Sequence, residues 1–221
     1  MHTKTLAAGK GKKNKWFATP KPGSHKKEDS ITLLNIVRDL IKYADNAREA
    51  GKIISSGLIL VNKKPKKEAN SSVGLMDMVE IPKLNKYYRV MPSPKGPQLK
   101  EISASQASLK LCRIAGKRNL PKGNVQLILH DGTTMVLSKD TFHTKDTLVL
   151  EIPSRKIRDI LEYKEGNTAI ISHGIHSGKT GVITEITKGD AASKSRTKVG
   201  EMHTLTNYVF VIGRDKPAIT T

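Results

Sequence analysis

Residues 47–65 read Ala-Arg-Glu-Ala-Gly-Lys-Ile-Ile-Ser-Ser-Gly-Leu-Ile-Leu-Val-Asn-Lys-Lys-Pro, and their order decides the fold of the first half of the chain. Ala47, Ala50, Ile53 and Ile54 recur at helical spacing, while Arg48 and Lys52 project together one turn apart. Asp45 or Asn46 supplies an N-cap for this short helix, and Gly57 a stop. Leu58–Val61 is then an unbroken apolar run of strand length, turned by Asn62-Lys63-Lys64-Pro65. The pattern predicts a helix followed by a strand and a basic turn.

Upstream, Leu33, Leu34, Val37, Leu40, Ile41 and Ala44 form an apolar stripe at helical spacing, with Asn35, Arg38, Asp39 and Lys42 outside it. This predicts a first amphipathic helix capped by Ser30. Downstream, a polar Asn-Ser-Ser stretch precedes a second strand at Met78–Ile81. Two helices and a small sheet make one compact unit over residues 30–88. Arg38, Lys42, Arg48, Lys52, Lys63 and Lys64 can then form one cationic face beside an apolar core, a shape suited to an RNA backbone.

Across all 221 residues, 39 Lys+Arg against 20 Asp+Glu leave a formal charge of +19. Nucleic acid is the strongest candidate to neutralise it, because phosphate contacts release counterions; an anionic membrane surface comes second. The longest apolar runs, Leu58–Val61 and Tyr208–Ile212, fall far short of the roughly 20 residues of a membrane helix. The Lys-rich start has no apolar stretch behind it, so no secretory signal is expected. The single cysteine, Cys112, can form neither an internal disulfide nor a cysteine zinc cluster. An intracellular protein is expected.

Residues 1–29 carry dense lysine, with Gly9, Gly11, Gly23, Pro20 and Pro22 as breaks, and are expected to order only on a polyanion. Lys10, Lys12, Lys13, Lys15 and Trp16 are candidate RNA contacts; the Trp16-Phe17 pair either packs on the body of the protein or stacks on a base. Residues 89–161 open with Pro92, Pro94 and Pro97, which suggest a linker or an edge strand. Strands are predicted at Val125–Leu129, Thr134–Leu137 and Thr147–Ile152, the first two joined by the tight turn His130-Asp131-Gly132, with one helix at Ser103–Arg113. In residues 162–221 the run Thr168–Gly174 followed by Ile175–Thr184 reads as a strand, a glycine-bearing loop and a second strand, with Gly174, Gly178 and Gly181 ahead of the aliphatic pair Val182-Ile183. The loop glycines allow positive φ and close approach of an RNA backbone, and His176 and Lys179 are the better contact candidates there. His173 and His176 lack carboxylate or thiolate partners for a metal, and His130 lacks a nucleophile.

On those residues three resemblances rest. Arg48-Glu49-Ala50 through Lys64, with Asp77–Ile81, resembles the RNA-binding module first described in ribosomal protein S-four. Residues 168–184 resemble the KOW motif, which implies a small β-barrel of the Src-homology-three-like kind. The order of tail, module, central β segment and glycine-bearing end, closing with Asn207–Gly213, resembles the archaeal and eukaryotic small-subunit ribosomal protein family S-four-e. Departures are Lys4-Thr5 where the family usually has a Lys-Arg pair, and Gly9 where a proline is common; the short stretch after Pro217 resembles an archaeal form. The resemblance implies an α+β, multidomain chain: tail 1–29, S-four-type module 30–88, central β-rich domain 89–161 and KOW-type β-barrel 162–221. It further implies a cytoplasmic, ribosome-bound structural protein whose partners are small-subunit ribosomal RNA and neighbouring ribosomal proteins, with no catalysis, cofactor, metal, membrane or small-molecule substrate. An RNA-modifying enzyme such as a pseudouridine synthase, or a KOW-bearing translation or transcription factor, is the alternative.

Overall fold

In the computed structural model, which describes residues 17–138, 141–189, 194–215 and 217–219, the chain divides into two compact units. Unit 1 comprises the chain up to Lys110 together with Glu151–Arg155, and unit 2 comprises Leu111–Leu150 and the chain from Lys156 onward. Strands dominate both.

Unit 1 begins its regular structure with strand β1 (Ser30–Thr32), which runs straight into a helical turn α1 (Leu33–Asn35) and a π-helical stretch at Ile36–Leu40. The N-cap expected at Ser30 lies two residues later. Ser30 is engaged in pairing with Gly74, and it is the Thr32 hydroxyl that accepts the Asn35 amide at 3.3 Å. The helix is also shorter than its apolar stripe: the Ile41 amide donates to the Ile36 carbonyl, a wide turn, and Lys42 takes the left-handed conformation at φ 58°. The stripe is still satisfied, with Leu33, Val37 and Ala44 buried and Leu34, Leu40 and Ile41 packed against them. Helix α2 (Ala47–Ser55) follows the sequence closely. Asn46 Oδ1 accepts the Glu49 amide at 2.9 Å, Glu49 Oε2 reaches back to the Asp45 amide at 3.0 Å, and Gly57 at φ 74° ends the run.

Strands β2 (Leu60–Val61) and β3 (Lys64–Pro65) form a hairpin whose two turn residues, Asn62 and Lys63, both have positive φ, as a twist-matched two-residue turn requires. Strand β4 (Ser72–Gly74) pairs with β1, and β5 (Met78–Ile81), β6 (Lys86–Met91) and β7 (Gln98–Ile102) complete a sheet of order β3-β2-β5-β6-β7. Neighbouring residues on a strand face opposite ways. Val79 accordingly joins the core under the helices with Val61 and Val90, while Met78 joins a second cluster with Ile102, Ala107 and Ile152. Residue 88, where a domain break was expected, lies inside β6, and Pro92, Pro94 and Pro97 lie in its connection to the edge strand β7. The expectation that residues 1–29 order only on a polyanion fails for their described part: Phe17 is buried in the core and the Lys21 amide donates to the Asn70 carbonyl at 2.9 Å.

The helix expected at Ser103–Arg113 is a single 3-10 turn at Gln106–Ser108 followed by the long strand β8 (Leu109–Asn119). Ala107, Leu111 and Ile114 fit helical spacing, but ladder pairing with β9 (Val125–Leu129) and burial of Cys112 and Ile114 beside Leu127 and Leu148 decide for strand. With β10 (Thr134–Leu137), β11 (Thr147–Glu151) and β12 (Lys156–Leu161) the order is β10-β9-β8-β11-β12. In the β9–β10 turn, Asp131 Oδ1 accepts from the Thr133 amide at 3.1 Å and hydroxyl at 2.6 Å, and Gly132 takes φ 73°.

The last sheet has the order β16-β15-β14-β13-β17, from β13 (Thr168–Ile171), β14 (Thr180–Thr187), β15 (Arg196–Val199), β16 (Met202–Leu205) and β17 (Val209–Gly213). Within unit 2 it is tied to the preceding sheet by Arg113, whose guanidinium donates to the Asn207 carbonyl at 2.7 Å and the Val209 carbonyl at 2.9 Å. Burial pushes this guanidinium below the usual arginine value. The His130 ring meets Phe210 edge-on with centroids 5.2 Å apart, and Arg214 pairs with Asp159 at 3.0 Å.

Candidate nucleic-acid interface

Burial of Ala50 and Ile54 fixes the rotation of α2, and that rotation leaves Arg48 and Lys52 exposed, with no ion pair among the described residues. The β2–β3 hairpin packs beside the end of this helix: the Lys66 amide donates to the Ile59 carbonyl, and a Cβ at Gly57 would lie 3.6 Å from Lys67 Cε. Lys64, Lys66 and Lys67 are exposed there. At the other end of α2, Arg38 and Lys42 line an open depression of about 570 Å³ together with Asp39, Ala44, Asp45, Asn46 and Ala47. Lys42 takes a positive φ at this rim.

Two of the predicted cations are partly spent inside the fold. Arg38 makes paired hydrogen bonds of 2.9 Å to both oxygens of Asp39, and that hydrogen bonding raises its pKa. Lys63 pairs with Glu80 at 2.7 Å and sits 5.3 Å from the centre of the Tyr87 ring. Lys64, its neighbour, makes no such pair among the described residues.

In unit 2 the loop from Ser172 to Lys179 is held by its own backbone. The Gly178 amide donates to Ile171 O at 2.7 Å, the Ser177 hydroxyl to Ser172 O at 3.0 Å, and the Lys179 amide to His176 O at 3.1 Å. Gly174 at φ 87° and Gly178 at φ 84° take conformations that a side chain would strain. Gly181 differs from the loop glycines: it lies on β14 without positive φ, and a Cβ there would crowd Val199 at 3.1 Å. Its role is close packing. Lys179 is exposed, while His176 is half-buried with an Nδ1 that makes no hydrogen bond among the described residues. Ile175, 89% exposed, stands at the tip, and His173 lies tilted on Tyr208 with ring centres 5.4 Å apart.

Residues 84–157 match the family model described as Ribosomal family S4e. The chain is 40% identical to the small ribosomal subunit protein eS4 of Methanocella arvoryzae over 99% of its own length and 96% of the relative's. It is likewise 40% identical to the eS4 protein of Methanothermobacter thermautotrophicus, covering 95% of this chain and 88% of that one. The crystal structure of 30S ribosomal protein S4e from Thermoplasma acidophilum superposes with a TM-score of 0.76 at 34% identity, over 85% of this chain and 96% of that chain. The chain belongs to the S4e family of ribosomal proteins. Its β-rich build with few helices is that of the S4e structure.

In this S4e chain the sequence missed Lys66 and Lys67 as members of the exposed basic hairpin, although the run Lys63-Lys64-Pro65-Lys66-Lys67 carried the signal. Lys10, Lys12, Lys13, Lys15 and Trp16 lie outside the described residues. The sequence also missed a buried charge cluster in unit 1. Asp77 receives the Lys110 ammonium at 2.8 Å and the Asn62 amide at 2.7 Å on one oxygen, and His25 Nε2 at 2.7 Å and the Gly74 amide at 3.0 Å on the other. Burial opposes the charged carboxylate, yet Lys110, His25 and Asn62 together hold Asp77 far below the ordinary carboxylate range. Arg89 is buried as well, donating to Gln106 O at 3.0 Å and Leu109 O at 2.7 Å, and its burial lowers its pKa to about 10.

Proposed function

We propose that this chain is a structural, non-catalytic constituent of the small ribosomal subunit that binds ribosomal RNA by phosphate contacts. The observation that carries the reading is the set of exposed cations without ion pairs among the described residues, Arg48, Lys52 and Lys64, on helix α2 and its hairpin in a chain of charge +19. The relatives named as small-subunit proteins support the same role. Helix α2 with its hairpin is read as the S-four-type RNA-binding module, and the last sheet with its glycine loop as a KOW-type barrel whose Lys179 and His176 face RNA. Arg38 and Lys42 extend the module's contact to the rim at the start of α2, and Lys63 contributes its charge from a fixed position. Lys10, Lys12, Lys13, Lys15 and Trp16 add contacts from the tail. Neighbouring ribosomal proteins are further partners, in the cytoplasm.

Sucrose-gradient sedimentation of a cell extract tests this directly. The chain is expected in the small-subunit and polysome fractions, and in the free small-subunit fraction when magnesium is lowered to separate the subunits. A chain that stays at the top of the gradient contradicts the reading and favours a free RNA-binding factor.

A further inference from the structure

The lysine-rich segment that ends at Trp16 is followed at once by a strap that is docked at both ends. Phe17 is buried as part of the core cluster that also holds Ile31, Leu33 and Val73. The Lys21 amide donates to Asn70 O, and the Lys21 ammonium pairs with Glu68. Further along, Gly23 lies so close to β4 that a Cβ would stand 2.7 Å from the Ser72 hydroxyl. His25 closes the strap by donating Nε2–H to Asp77, with its side chain only 4% exposed. The ring can reach Asp77 only because residue 74 has no side chain: a methyl at Gly74 would collide with the ring's carbon and nitrogen atoms. Gly74 is not in a positive-φ conformation, so its backbone alone does not demand glycine.

A buried imidazole seated over a bare strand on a charged cluster is a specific fastening. A lysine-rich sequence needs none to remain soluble. Fixing the root of a basic segment limits how far its lysines can lie from that point and raises their effective concentration at a neighbouring site. We propose that His25, seated on Asp77 over Gly74, is a positioning residue that fastens the root of the basic tail to the module, so that Lys10, Lys12, Lys13 and Lys15 are delivered to the same RNA the module holds. This rests on the RNA-binding reading above. His25 itself touches no RNA in this scheme; it acts through the segment it anchors.

A double-mutant cycle in the full chain tests it, with in vitro transcribed small-subunit ribosomal RNA as the probe. His25→Ala is expected to weaken binding about tenfold when the tail is native, and by less than about twofold when Lys10, Lys12, Lys13 and Lys15 are all glutamine. Gly74→Ala, which leaves His25 intact but denies it its seat, is expected to reproduce the loss. His25→Gln, whose side-chain amide can donate from a similar position, is expected to restore most of it. In the free protein, trypsin cleavage after Lys26 and Lys27 accelerates several-fold in His25→Ala and Gly74→Ala while cleavage within unit 2 is unchanged. An equal loss of affinity with native and neutralised tails, or unaltered cleavage after Lys26 and Lys27, overturns the proposal. Absence of binding by the native chain instead overturns the RNA reading and the positioning role together, and is told apart from failure of the fastening alone, in which the native chain binds and His25→Ala binds equally well.

Discussion

The exposed flank of α2 and the buried cluster around Asp77 lie in the same unit and use the same residue types for opposite ends. On α2, Arg48 and Lys52 have no ion pair among the described residues and stand in solvent, so the fold does not neutralise their charge. At Asp77, the Lys110 ammonium and the His25 ring are withdrawn from solvent, and their charge or hydrogen-bonding capacity is consumed by one carboxylate. The contrast teaches that lysine density alone does not locate an RNA face. What separates a binding cation from a structural one is whether the fold supplies it with an acid, and Lys63 on Glu80 and Arg38 on Asp39 stand between the extremes.

The contrast is broken most forcefully at Asp77. Asp77→Asn removes the carboxylate that the buried Lys110 ammonium meets at 2.8 Å, and is expected to lower the unfolding free energy by roughly 3–5 kcal/mol in chemical denaturation. The pH dependence follows from the same site. Because the carboxyl lies below its ordinary value of about 3.9 in the folded chain, its stabilisation is present above that value and is lost only as pH falls through the lower folded one. Denaturation midpoints compared between about pH 7 and 5 are therefore expected to show no loss that Asp77→Asn removes.

Next in size, reversing charge at Arg48 and Lys52 together is expected to weaken binding to structured ribosomal RNA by about 2–3 kcal/mol while the melting temperature barely moves. Equal losses of binding and stability would make these residues structural and would place the RNA face elsewhere. Smaller again is Gly178→Ala. Its φ of 84° would strain an alanine by about 1–2 kcal/mol, measurable as a lower melting temperature of unit 2 with α2 unaffected. Asn46→Ala removes the cap of α2 and is expected to cost about 1 kcal/mol, read by denaturation.

How much of this was legible in the sequence follows the range of the interactions involved. Helix α2, its Asn46 cap, the Gly57 stop and the Asn62-Lys63 turn are written in neighbouring residues, and the structure keeps all of them. The His130-Asp131-Gly132 turn is equally local. What failed was set by partners far along the chain. Ser30 gave up its capping role because Gly74 pairs with it, and Leu109–Asn119 became a strand because Val125–Leu129 lies beside it. The docking of residues 17–25 depends on Asn70, Ser72 and Asp77, none of which announces itself from the tail. For the candidate site, spacing placed Arg48 and Lys52 correctly on one exposed face, but no spacing rule could assign Glu80 to Lys63 or Asp77 to Lys110.

The salt dependence of binding to small-subunit ribosomal RNA tests the central claim most directly, namely that exposed cations of this chain neutralise RNA phosphates. For about four or more contacts, the association constant of the native chain is expected to fall by about two decades or more between about 50 and 200 mM monovalent salt, with a shallower logarithmic slope when Arg48 and Lys52 are reversed. A flat salt response of the native chain, or a slope that Arg48 and Lys52 do not alter, would contradict the account.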